Sequence, residues 1–479
     1  MKNWGLSRRR MLAGSLAGVL GWAATPLRGA WAGDTTEPEM AAPVGRNWKI
    51  EGATVLSMDA DIGDLERGDV LVKDGVIQQV APHIHAPGVP VVDGRHRIVF
   101  PGFIDAHNHM WQTQMRGAFG QAKNSLFFPV TQRYSPLFRP EDIEISEYAS
   151  AMENAAAGIT SSNDFFDNNR HPDYAQAALR GLAAAPTRTR LLYGNRSKTD
   201  TQMIDLDDLA RWVGLAADGK LGPRLDLGLA WRLPRDVNDD KAMRTKRQEY
   251  DFARQHALPI AVHISGRNHA AMFDRLIDGD YLAPGVQVIH ATDAQPGQLD
   301  ALAESGASLA ISPVTEQRVA YGLTRYARFK DVPRLGLGID GNGLAGSANM
   351  FEIMRLLALT EIGAATDQTA VDMRRIFHWA TLGGAESMGV ADSRGSITPG
   401  KDADLAMVDT RALNLGMLGQ EPYAELIFAA RPENIAFVSI GGDIVKRDGR
   451  LIDFDTDEVM QRLRASIEHL NAAAEAGKG

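Results

Sequence analysis

Cysteine is absent from the 479 residues. Disulfides and thiolate chemistry are thereby excluded, and any metal has to sit on His, Asp or Glu, a hard to borderline donor set. A cysteine-free chain is compatible with any redox compartment. No apolar run reaches the roughly 20 residues of a membrane-spanning helix, apart from one candidate near the N-terminus. Excess positive charge is lacking too. Acids number 60 against 51 Lys and Arg, a formal charge of −9, which argues against a nucleic-acid partner. Internal repeats and low-complexity segments are missing. The remainder, 44% hydrophobic and 23% charged, has the composition of a soluble globular protein. Its length suits one large domain with a smaller one appended, or two to three ordinary domains.

The first residues read as targeting rather than fold. Ser7-Arg-Arg-Arg-Met-Leu12 precedes a weakly apolar stretch to Ala24, and Ala30-Trp-Ala32 offers a small-x-small cleavage site. That is the layout of a signal peptide over residues 1–32, with an arginine pair of the twin-arginine type. The expectation is a periplasmic protein. Three glycines in the apolar stretch favour cleavage over a stable membrane anchor. Residues 33–46 are polar and carry Pro and Gly, as a linker does.

Two strand-rich segments flank everything that follows. Residues 47–97 hold Ala53-Thr-Val-Leu-Ser57, then Val70-Leu-Val-Lys73 and Val76-Ile-Gln-Gln-Val80 around an Asp74-Gly75 turn. Residues 395–452 repeat the style with Ala403-Asp-Leu-Ala-Met-Val408 and Ala436-Phe-Val-Ser-Ile440. The economical reading is one small β-sandwich assembled from both ends of the chain. Between them, over residues 98–394, apolar strand candidates alternate with helical stretches such as 141–157, 239–255 and 294–304. The strand candidates are 98–105, 158–163, 189–194, 225–231, 259–263, 286–290, 307–312 and 335–340. Alternation predicts an α/β fold with a parallel sheet, and eight such units predict a (β/α)8 TIM barrel with its chemistry at the C-terminal strand ends. Residues 453–479 are expected to close the chain with a packed amphipathic helix that puts Val459, Leu463, Ile467 and Leu470 on one face.

The chain carries twelve histidines, so a site must be selected. His107 and His109 end the run Ile98-Val-Phe-Pro-Gly-Phe-Ile-Asp-Ala-His-Asn-His109, and residues at i and i+2 of an extended chain face the same side. His263 ends Pro259-Ile-Ala-Val-His263, His290 ends Val286-Gln-Val-Ile-His290, and Asp340 ends Leu335-Gly-Leu-Gly-Ile-Asp340. Any one of them alone is equally well read as a capped core residue. Five at the C-terminal ends of strands one, five, six and eight point to one shared site. His83, His85, His96, His171, His256, His378 and His469 read as loop, helix or surface residues.

This order of residues, with Gly338-Ile-Asp-Gly-Asn342 and Gly395-Ser-Ile-Thr-Pro-Gly-Lys-Asp-Ala-Asp-Leu405, resembles the amidohydrolase superfamily over nearly all of residues 48–450. His109-Met-Trp-Gln112, Arg116-Gly117 and Ala348-Asn-Met-Phe-Glu-Ile-Met-Arg355 look like its aminohydrolase branch. That branch includes triazine hydrolases and guanine, 8-oxoguanine and adenosine-type deaminases. The resemblance implies one divalent ion held by His107, His109, His263 and Asp340, because strand four ends at Trp231 without the lysine that binuclear members carbamylate. Zinc is the default for such donors, and Fe2+ or Mn2+ fits the same residues. It also implies Asp340 as the base that orients and deprotonates the attacking water, and His290 as donor to the substrate atom that gathers charge.

Trp111, Gln112, Arg116, Phe165, Phe166, Trp231, His269 and Tyr321 are candidates for the walls of the substrate pocket, with Gln112 the best polar contact. Ring-deaminating members carry a glutamate three residues after the strand-five histidine, where this chain has Gly266. The expected activity is therefore hydrolysis of a C–N bond (amide, lactam, carbamate or similar) in a small cyclic or aromatic molecule. One alternative is deamination of a heterocycle with an atypical proton donor such as His269 or Asp293. Another is a binding protein that keeps the metal and performs no catalysis. A homodimer is compatible with such a barrel.

Overall fold

In the computed structural model, which describes residues 45–195, 201–265, 269–416 and 421–477, eight strands pair in chain order, each parallel to its neighbour. They are β1 (Phe103–Asn108), β2 (Ile159–Phe166), β3 (Arg188–Tyr193), β4 (Leu225–Trp231), β5 (Ile260–Ile264), β6 (Val286–His290), β7 (Ser308–Ile311) and β8 (Leu335–Leu337). The expected TIM-like barrel is present. The expected signal peptide, most of the linker and Gly266 lie outside the described residues. Among the described residues, no helix is long and apolar enough to cross a membrane.

Closure of the barrel depends on glycine. Asp340 N donates to His107 O at 2.8 Å, and Ile339 N donates to Asp105 Oδ1 at 2.9 Å. A Cβ at Gly336 would lie 2.6 Å from Ala106 Cβ, and one at Gly338 would lie 2.8 Å from the His107 carbonyl oxygen. Only bare backbone lets the last strand come this close to the first. Inside, Ala106, Phe165, Leu192, Ala230, Ala261, Ile289 and Ala310 form a buried layer, one residue from each of the first seven strands. This is the apolar floor beneath the histidines.

The flanking segments join as expected, but not as two stacked sheets. One nine-stranded sheet takes Trp48–Leu56, Asp64–Lys73, Val76–Ala81, Val91–Asp93 and Arg97–Pro101 from one end of the chain, and Leu405–Asp409, Ile435–Ile440, Asp443–Arg447 and Arg450–Leu451 from the other. Two strands lie between Trp48–Leu56 and Ile435–Ile440 in the pairing order, yet the Trp48 and Phe437 rings meet at 5.6 Å and Trp48 Nε1 donates to Gly442 O at 2.8 Å. With neighbouring strands about 4.8 Å apart, a flat sheet would hold these too far apart. The sandwich is thus a single sheet curled around its own core.

Two further expectations need correction. The strand candidate at 98–105 is really two strands. Arg97–Pro101 pairs with Leu405–Asp409 and Trp48–Leu56 in the small sheet, and the barrel begins at Phe103. Both pieces are buried on both faces, so no change of periodicity marks the crossing at Gly102. The C-terminal helix is Thr456–Ala476, but Ile467 is 38% exposed, and the buried stripe runs through Val459, Ser466, Leu470 and Ala474. The stripe turns toward Ser466 because its hydroxyl accepts a hydrogen bond from Gln114 Nε2 at 3.2 Å.

Candidate metal centre

Three imidazoles and one carboxylate converge at the C-terminal mouth of the barrel. One ligand atom from each of His107, His109, His263 and Asp340 lies within 4.8 Å of every other. His107 Nε2 is 2.9 Å from Asp340 Oδ1, and His109 Nε2 is 3.3 Å from His263 Nε2 and 3.5 Å from Asp340 Oδ1.

Strand parity alone would not deliver this set. Ala106 faces the barrel floor, so the next residue of a regular strand would face outward. The pairing of β1 with β2 shifts register between Asp105 and Asn108, and the irregularity brings His107 inward as well. Ile289 also faces the floor, and His290 follows it directly. A left-handed φ of 73° at His290 turns its ring to the mouth, and Asp340 has a φ of 60°. Such backbone costs free energy and recurs where a side chain must be aimed.

The electrostatics fit a cation. Burial pushes His107 down to about 4 and His263 well below its usual value, so both rings are neutral near pH 7 with lone pairs available. Burial also pulls on His109, but the charges of Asp167 and Asp340 outweigh it, and its pKa is raised. Burial alone would raise the Asp340 carboxyl, yet the His290, His107 and His109 rings hold it well below the usual carboxylate range. A positive charge at this point, whether proton or metal, is what the carboxylates favour. The imidazole nitrogens of His107, His263 and, once it gives up its proton, His109 form with one carboxylate oxygen a donor set for a single zinc-like ion.

A second layer fixes the first. His109 Nδ1 donates to the Phe165 carbonyl at 2.9 Å and lies 3.2 Å from Asp167 Oδ1. Asp167 also accepts from Trp111 Nε1 at 2.8 Å and pairs with Arg232, whose guanidinium stands 5.0 Å from the Phe165 ring centre. His290 Nδ1 donates at 3.0 Å to Glu316, which also accepts from Ser312 N at 2.8 Å and is wholly buried. These partners fix which imidazole nitrogen faces the centre. Asp167, Arg232 and Glu316 were not anticipated from sequence. For Asp167 and Arg232 the available signal was a charged residue directly after a strand; Glu316 lies within the helix that follows β7.

The predicted wall residues divide. Trp111 is buried and serves Asp167. Gln112 lies beside the Asp340–Gly341 turn, since a Cβ at Gly341 would sit 3.4 Å from its Oε1, and that buried oxygen has no protein partner. Phe165 belongs to the floor, its ring 4.3 Å from that of His263, whereas Phe166 packs in the outer core. Trp231 does not reach the site. Gly228 and Ala230 face inward, so Trp231 points to the helices, donates to Lys246 O at 3.0 Å and packs on Tyr250 and Tyr281. Arg116 pairs with Glu153, and His269 with Asp293 at 3.3 Å, so neither joins the cluster. A cavity of about 920 Å³ between Glu153, Arg355, Glu433 and Lys446 contains none of the four clustered groups.

The chain is 23% identical to a 5'-deoxyadenosine deaminase of Methanosarcina mazei, across 88% of this chain and 98% of that protein. It is 28% identical to a 5-methylthioadenosine/S-adenosylhomocysteine deaminase of Haloarcula marismortui, across 86% and 96%. An adenosine deaminase structure from Xanthomonas campestris with bound zinc superposes with a TM-score of 0.77 at 23% identity, over 90% of this chain and 100% of that one. Atrazine chlorohydrolase TrzN from Arthrobacter aurescens, complexed with zinc, gives 0.75 at 20% identity, over 88% and 99%. The two structures share the fold. The sequence pattern of the amidohydrolase family matches residues 98–445, from the small-sheet strand that feeds the barrel to the last long strand of that sheet, and on that match this chain belongs to the amidohydrolase family.

Proposed function

We propose that this amidohydrolase is a mononuclear metal-dependent hydrolase that cleaves a C–N bond of a small nitrogen heterocycle, with loss of an exocyclic amine as the preferred reaction. The observation that carries the reading is the cluster of His107, His109, His263 and Asp340 within 4.8 Å, faced by His290 on its buried Glu316. Deaminases among its relatives, aligned over nearly their whole length, favour the amine.

His107, His109, His263 and Asp340 would hold a divalent ion, which would lower the pKa of a water toward neutrality. Asp340 stays ionised and can take that water's proton and hand it to the leaving nitrogen. His290 donates one ring hydrogen to Glu316, and its Nε2, 3.9 Å from Asp340 Oδ2, faces the site. Burial alone would favour the neutral ring, but Asp340 and Glu316 raise the pKa of His290, which favours a hydrogen on Nε2 for the atom that gains charge. Phe165 and the small residues around it keep the floor dry.

The test is metal content with turnover. The purified chain is expected to hold about one ion, and His107→Ala to lose both ion and activity; full turnover in that variant would end the reading. A second reading, amide or lactam hydrolysis, is favoured by the absence of an acid at Gly266. Ammonia release from 5'-deoxyadenosine separates the two. We also infer export through the Arg8-Arg9 pair; Arg8→Lys with Arg9→Lys is expected to leave the protein in the cytoplasm.

A further inference from the structure

Tyr321 is a polar side chain at the barrel mouth that the chemistry above leaves without a role. It lies just beyond the short helix Pro313–Arg318 that follows β7. Its ring centre is 6.2 Å from that of His290 at 67°, and the Ser265 side chain is close enough to act on its hydroxyl. The phenol therefore spans the mouth from the end of β6 to the end of β5.

Water adding to a carbon of an aromatic C=N bond pushes an electron pair onto the ring nitrogen. That nitrogen needs a donor; Gln112 stands beside Gly341 on the β8 side of the mouth, and the other groups already placed are engaged elsewhere. Asp340 takes the proton of the water, and His290 serves the attacked side. Arg232 is held by Asp167 over the Phe165 ring, His269 is paired with Asp293, and Gly266 has no side chain.

We infer that Tyr321 is a further catalytic residue, whose hydroxyl donates a hydrogen bond to the ring nitrogen adjacent to the attacked carbon. Ser265 can donate to the phenol oxygen, which frees the phenol hydrogen for substrate. Burial raises the Tyr321 pKa, so the group remains a neutral donor throughout. The step balances without its ionisation. A C–O bond forms to water, whose proton passes to Asp340. The C=N pair moves to the ring nitrogen under the Tyr321 hydrogen bond. The pair returns as the C–NH2 bond breaks, and the amine leaves as ammonia with the proton from Asp340. The same contact sets specificity, because it selects rings with a nitrogen beside the amino-bearing carbon.

The inference rests on the deamination reading, and its test separates the two. The probes are 5'-deoxyadenosine and its 1-deaza analogue, in which CH replaces the ring nitrogen beside the amino-bearing carbon. Tyr321→Phe is expected to keep the metal content and melting temperature of the parent. Its kcat on 5'-deoxyadenosine should fall about ten- to one-hundredfold and its KM should rise about tenfold. In the parent the inhibition constant of the analogue should stand about tenfold above the KM for 5'-deoxyadenosine, and in Tyr321→Phe the two should be alike. Unchanged kcat, or retained discrimination in Tyr321→Phe, overturns the role of Tyr321 while deamination stands. A parent chain that releases no ammonia from 5'-deoxyadenosine and does not bind it overturns the deamination reading and this inference with it.

Discussion

At the scale of the residue, the site is a set of buried groups whose charges depend on one another. Asp167 shows this best. It binds no ion in the proposed scheme, but it accepts from Trp111 and Arg232 and lies against His109 Nδ1. Burial would raise its carboxyl, and His109 and Arg232 outweigh that, so it stays ionised. Asp167→Asn keeps the shape and removes the charge. Metal affinity is expected to drop about ten- to one-hundredfold, read by competition with a chelator, with little change in fold. The residue scale is also where the sequence was most legible. All four grouped side chains were named from their place at apolar strand ends. The register shift at Asp105–Asn108 and the left-handed turn at His290 were not legible, because a one-dimensional pattern assumes regular strands. By strict alternation, with Ile289 inward, His290 would face the helices. Trp231, one residue past Ala230, is the case where alternation holds and the expected pocket residue turns away.

At the scale of the element, two contacts carry predictions. The helix Pro140–Ala156 places Glu147 against Asp164 of β2, both wholly buried. Burial raises both carboxyls, and each is raised further by a carboxylate neighbour. In the folded chain the pair therefore holds a proton that the unfolded chain releases near the ordinary carboxylate range. For a pKa raised by folding, the contribution is whole at low pH and is lost as pH rises toward the folded value. The melting temperature should decline as pH rises from the ordinary carboxylate range to about 7, and Glu147→Gln, which cannot ionise, should flatten that decline. A parallel decline in both proteins would show that the pair shares no proton. The second contact is barrel closure. Gly338→Ala would place a methyl 2.8 Å from the His107 carbonyl oxygen. Overpacking of this kind costs about 1–3 kcal/mol, and here the strain separates two proposed ligands, His107 and Asp340. Gly338→Ala is expected to lower both the melting temperature and the bound metal. The strand–helix alternation was legible because each barrel strand is apolar and each helix has polar breaks. The border at Gly102 was not, since the apolar run crosses from one sheet into the other.

At the scale of the whole molecule, the small sheet is mechanically part of the metal centre. Arg97–Pro101 is paired on both sides in that sheet, and one residue, Gly102, separates it from the strand that bears His107 and His109. At the opposite end of the barrel, Arg188 of β3 bonds Asp404 at 2.9 Å and Asp402 at 2.9 Å, and Asp404 also accepts from Gly441 N. Asp404 is 3% exposed, so its removal takes one of two carboxylate partners from a largely buried guanidinium and leaves the Gly441 amide without its acceptor. Loss of one partner of a buried pair costs about 3–5 kcal/mol. If the barrel and the curled sheet were independent, Asp404→Ala would split calorimetric unfolding into two transitions and leave metal binding intact. The shared strand and the buried pair argue the opposite. Unfolding is expected to remain a single transition at lower temperature, with metal affinity reduced although position 404 lies at the far end of the barrel from the histidines. Two separate transitions, with chelator competition unchanged, would show that Gly102 is a hinge between independent bodies rather than a rigid splice.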